Sequence, residues 1–124
     1  MDILEILQRW LVQQGVASQV DALPVAPEKN GLYPQGRQEL WRREDVLGGV
    51  TVRARYTFLL RFMAAPGEDF ASKLLRLQEI AGSNPPEFGE NQAFRAENGK
   101  CTKKAGSGLW IYELRLIAER EESQ

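Results

Sequence analysis

The sequence contains no histidine, which removes the commonest metal ligand and the usual general base near neutral pH. Its single cysteine, Cys101, cannot close an internal disulfide. Lys100 and Lys103 beside it favour a thiolate, but no imidazole is present to pair with it as a nucleophile. Nucleotide signatures are missing too. There is no Walker A sequence and no Gly-x-Gly-x-x-Gly, and Gly106-Ser107-Gly108 precedes a strand pattern where a dinucleotide turn should follow one. No run approaches the roughly eighteen apolar residues of a membrane span. The N-terminus lacks the basic, apolar and small-residue succession of a secretory signal, which predicts a cytoplasmic setting. A net charge of -1 gives no overall attraction to nucleic acid or anionic lipid. These absences predict a protein that is not an enzyme and that has no cofactor and no metal. The adjacent carboxylates Glu44 and Asp45 read as solvated residues beside a turn rather than as an acid pair or a cation site.

What the sequence does hold is enough apolar material for a core. With 43% hydrophobic and 27% charged residues over 124 positions, it reads as one globular domain spanning residues 1–124. The organising stretch is Val50 to Ala64, VTVRARYTFLLRFMA. Its even positions, from Val50 through Tyr56, Phe58 and Leu60 to Ala64, are apolar, while Thr51, Arg53, Arg55, Thr57 and Arg61 fall on the other side. That is a strand with one dry face. At about 3.3 Å per residue it would be about 50 Å long, so a bend or a projecting end is expected.

The remaining elements fall around this strand. Asp2 to Gln14 has the three-four spacing of a helix in Ile3, Ile6, Leu7, Trp10 and Leu11, with Asp2 and Glu5 as a capping box and Gly15 as the stop. Val20 to Val25 suits a short edge strand, and the turn-rich stretch Glu28 to Gly36 reads as a loop across the body. Arg37 to Arg43 is a weaker strand, in which the adjacent Leu40 and Trp41 imply contact on both faces or a bulge. Joined through Gly48-Gly49 it makes a long hairpin from about Arg37 to Ala64. Glu68 to Ala81 is a second helix with Phe70, Leu74, Leu77 and Ala81 on its inner face, widened by Leu75 and Ile80. Phe88 is placed to plug a small apolar site. Gln92 to Glu97 and Leu109 to Ala118 read as strands, Asn98 to Gly108 as a mobile polar loop, and Glu119 to Gln124 as a charged tail. The fold class is therefore α+β, a mostly antiparallel sheet with a long β-hairpin and two amphipathic helices packed on one face.

The odd-numbered face carries the candidate interaction residues Arg53, Arg55, Leu59, Arg61, Met63, Leu109 and Ile111. The arginines suit a solvated face with Glu39, Glu44 and Asp45 as local partners, a face for an adjacent subunit, or a nucleic-acid surface. The last lacks evenly spaced exposed aromatics to stack on bases, so nucleic-acid binding is disfavoured. Leu59, Met63, Leu109 and Ile111 are an apolar surplus on that face. Either a partner or an unforeseen helix must cover them.

The segments GLYPQG, ELWRREDVLGGVTVRARYTFLLR and PPEFGENQAFRAENG, with the final strand, resemble bacteriophage minor capsid or minor tail proteins. The resemblance runs from Gly31 onward and rests on no catalytic motif. Proteins of this kind are similar in size and element order to the tail terminators of long-tailed phages. It implies a virion protein assembled in the cytoplasm of the bacterial host, which self-associates as a hexameric ring, caps the tail tube protein and meets the head connector protein. It also implies no membrane partner. The alternative from the residues is a small nucleic-acid-binding or assembly-chaperone module using Arg53, Arg55, Arg61 and the Lys100 to Lys104 stretch.

Overall fold

The computed structural model of the chain describes residues 2–14, 31–64, 70–103 and 110–124. Helix α1, Ile3–Gln13, is followed by strands β1, Gly31–Glu44, and β2, Val50–Ala64; helix α2, Phe70–Ser83, precedes β3, Glu90–Lys103, and β4, Trp110–Ser123. All strand pairs are antiparallel, in the order β1-β2-β4-β3, so the long strand β2 and the C-terminal strand β4 fill the middle of the sheet. The expected α+β architecture is the one observed.

Pleating sorts the side chains of β2 and β4 by parity. Phe58 lies opposite Leu116 and Leu60 opposite Leu114, and both helices pack on this even-numbered face in one buried cluster with Ile3, Leu7, Trp10, Leu11, Leu77 and Ala81. Burying each such side chain contributes about 1.5–3 kcal/mol before ordering costs. Helix α1 presents its stripe because Ile3, Leu7, Trp10 and Leu11 recur every three or four residues, and the Asp2 carboxylate accepts the Leu4 N–H at 3.3 Å to cap it. The Trp10 indole N–H donates to the Asn84 carbonyl at 2.9 Å, and its ring meets Phe94 edge-on at 5.3 Å. One side chain thus ties α1 to the end of α2 and to β3. Trp10→Phe keeps most of the apolar contact and loses the hydrogen bond, so a urea midpoint should fall by the equivalent of about 1 kcal/mol. Phe88 is buried and packs edge-on against Phe94 at 6.1 Å, as its position predicts.

Several boundaries differ from the sequence reading. Residues 31–36 are strand rather than loop, and Pro34 is tolerated because β1 is at the edge of the sheet. Two irregularities in the β1–β2 register, between Pro34 and Gly36 and between Glu39 and Trp41, each insert a residue, Gln35 and Leu40. The Leu40-Trp41 adjacency is therefore a bulge. Likewise 98–103 continues β3, across a further irregularity between Glu97 and Lys100, instead of opening a loop. The supposed tail is strand as far as Ser123. Leu75 does not widen the inner face of α2, since it is 63% exposed, whereas Ile80 does pack against the core. The Val20 to Val25 strand, the Gly15 stop and the rest of the 98–108 loop lie outside the described residues, as do the side chains of Phe70 and Leu74.

Asp45 explains the hairpin turn. Its Oδ1 accepts the N–H groups of Leu47 at 2.9 Å and Gly49 at 2.8 Å, and Gly48 takes a φ of +85°, where other residues are strained.

Candidate interaction face

Among the described residues both helices lie on the even face, which leaves the odd face of the sheet without a covering layer. This open face divides into two halves of different electrostatic character.

In the half nearer the hairpin turn Arg53, Arg55 and Arg95 are paired within the chain, and Arg43 lies over the Trp41 ring at 5.3 Å. Glu119 on β4 is buried and faces Arg55 directly across the β2–β4 pair. The Arg55 Nε donates to it at 2.9 Å, Arg53 approaches at 3.4 Å from the same strand, and Arg95 at 3.5 Å from β3. One carboxylate therefore clamps three strands. Burial pushes the Glu119 carboxyl up, but the hydrogen bond from Arg55 and the charges of Arg55 and Arg53, helped by Arg95, hold it below its ordinary value. Arg53 also donates to the Asn91 carbonyl at 2.7 Å, and the Asn91 amide donates to Glu121 at 2.6 Å. Beneath this half, on the even face, a second network replaces the helices. Arg37 and Arg120 flank the Tyr56 ring at 5.7 and 5.6 Å, and both reach Glu122 at 2.9 Å. The Tyr56 hydroxyl donates to the same carboxylate at 2.6 Å. Burial raises the Glu122 carboxyl, and the hydrogen bonds from Tyr56, Arg37 and Arg120 more than reverse this. Val52 and Ala54 are fully buried here although they lie outside the helical cluster. Long polar side chains, with their apolar stems, take the place of a helix.

The other half is not neutralised. Lys100, Arg115 and Arg61 form no ion pair among the described residues, and the Arg61 Nε is buried without a hydrogen-bond partner. In the register Glu113 stands opposite both Arg61 and Lys100, and Glu97 stands opposite Arg115 but pairs with Arg95 at 3.2 Å. Gln35, Leu59, Lys100, Glu113 and Arg115 line a recess of about 200 Å³. Leu59 and Ile111 are half-buried on this side.

The candidate residues are thus separated by the structure. Arg53 and Arg55 belong to the Glu119 clamp and are not free contacts; the carboxylates expected to balance them, Glu39, Glu44 and Asp45, do not pair with them. Glu39 pairs with Arg42 at 2.8 Å instead. Leu59, Arg61 and Ile111 sit in the free half. The Met63 side chain and all of Leu109 lie outside the described residues. Sequence reasoning missed Gln35 and Arg115 as members of this site and raised Lys100 only within the Lys100 to Lys104 stretch of the nucleic-acid alternative. The alternation of β4 places Arg115 beside Glu113 and Ile111, so that part was readable, but Gln35 arrives through a bulge and Lys100 through an irregular register.

No cluster of residues that could hold a metal ion occurs among the described residues. No helix of the described residues is long and apolar enough to cross a membrane. Asp45 is a turn-forming residue, and the Cys101 side chain lies outside the described residues. No family model, no curated protein and no solved structure matches the chain.

Proposed function

We propose that the chain is a structural protein of a phage or prophage virion, a tail terminator or related head-tail joining component. In this reading it assembles as a ring, with six copies as the expected number, at the end of the tail tube. It stops polymerisation by occupying the growing end and offers its other surface to the head connector. The observation that carries the reading is the open half-face, where free cations stand beside half-buried Leu59 and Ile111 on a sheet whose helices cover the other side. The sequence resemblance supplies the phage context. No chemistry is required of it.

The nucleic-acid alternative loses support from the Glu119 clamp, because Arg53 and Arg55 are already paired. The direct test is to polymerise purified tail tube protein with and without this chain. Shortened tubes bearing a ring at one end are expected; tubes of unchanged length without a terminal density contradict the reading.

A further inference from the structure

We infer that the tip of the β1–β2 hairpin of one copy docks on the Leu59–Lys100–Arg115 recess of another copy. This deepens the ring-forming reading and rests on it. At the tip, Val46 and Leu47 are 101% and 93% exposed, the most exposed large apolar side chains among the described residues. The tip is also held in shape. Asp45 fixes the Leu47 and Gly49 amides, and the Asp45 N–H donates to the Gly49 carbonyl at 2.8 Å. An exposed apolar pair on a rigid turn gains nothing within its own chain, and pre-organisation lowers the ordering cost of docking it elsewhere.

The charges decide which surface receives it. Glu44 at the tip is exposed and forms no ion pair among the described residues, and Asp45 adds a second negative charge. The recess has the opposite balance, lined by Lys100 and Arg115 against Glu113, with Arg61 opposite Glu113 in the register and Glu97, opposite Arg115, taken up by Arg95; it offers Leu59 to the apolar pair, and Ile111 follows on the same face of β4. Oppositely charged patches select the partner and fix its orientation. The two surfaces cannot meet within one chain. Val50 and Leu59 lie on the same strand, and at about 3.3 Å per residue the turn and the recess are about 30 Å apart. A tip-to-recess contact uses two different surfaces, so it repeats head to tail and closes a ring where the rotation permits.

The test is light scattering on the full chain over a concentration series. A Val46→Asp, Leu47→Asp variant and, separately, Arg115→Glu should each raise the concentration for half-assembly by about tenfold or more. Glu44→Lys alone should do the same. Combining Glu44→Lys with Arg115→Glu should restore assembly relative to either single change, which a variant that merely misfolds cannot do. If the wild type assembles and the tip variant assembles at the same concentration, the docking inference fails while the ring reading stands. A wild-type chain that stays monomeric throughout, with or without tail tube protein, overturns both.

Discussion

Replacing Glu119 with glutamine lowers the stability of the folded chain by about 2 kcal/mol, the range for losing hydrogen bonds to a charged group. The Glu119 carboxylate balances Arg53, Arg55 and Arg95 from two neighbouring strands, and its own side chain is only 10% exposed. Glutamine keeps the shape but leaves the arginines facing one another without a counter-charge. The same carboxylate predicts the acid behaviour. Glu119 and Glu122 are both held below the ordinary carboxylate value in the fold. The unfolded chain therefore takes up protons first, at about pH 4.3, so their contribution is full above that pH and is lost as pH falls through the depressed folded values. Urea midpoints between pH 3 and pH 7 should decline steeply on the acid side in the wild type. They should decline less steeply in Glu119→Gln, with the remaining slope coming from Glu122. An unchanged midpoint and an unchanged acid limb in the variant would contradict the clamp.

The second large effect separates two neighbouring leucines. Leu60→Ala should destabilise the chain by about 3 kcal/mol, because Leu60 is fully buried opposite Leu114 under the helices and its removal leaves a cavity. Leu59→Ala points the other way, into the open recess, and should cost less than about 1 kcal/mol. On the proposed function, Leu59→Ala weakens association of copies while the monomer stays folded. Denaturant unfolding and light scattering on both variants read the two effects separately. Equal losses of stability would mean that the odd face is buried within the chain after all.

The parts of this architecture legible in the sequence are those where periodicity is uninterrupted. β2 carries no register break against β4, so its alternation identifies the dry face from Val52 to Leu60, and α1 shows its stripe through regular three-four spacing. β1 was harder because the insertions at Gln35 and Leu40 shift its phase twice. Arg37, Glu39 and Arg42 share the side of Leu32 although no single alternation links them. The end of the last strand is hard to see in the sequence for a different reason. Glu119 to Glu122 has the composition of a solvated tail, and only the arginines placed on β2, β3 and β1 by the tertiary fold make those carboxylates strand residues. A long-range ion pair has no local sequence signature, and for the same reason the partner of Arg53 and Arg55 is Glu119 rather than the nearby Glu39, Glu44 and Asp45 that the sequence suggests. The apolar positions Leu59 and Ile111 needed only parity to be placed on the open side.

The central claim is that the half-neutralised open face joins copies of this chain. Its most direct test is the absolute mass of the purified protein by light scattering across a concentration series, with the same fractions viewed by electron microscopy. The account predicts closed rings near six times the 14.0 kDa chain mass at high concentration, dissociating on dilution or with Arg115→Glu. A monomer at every concentration, unchanged when tail tube protein is added, would contradict it.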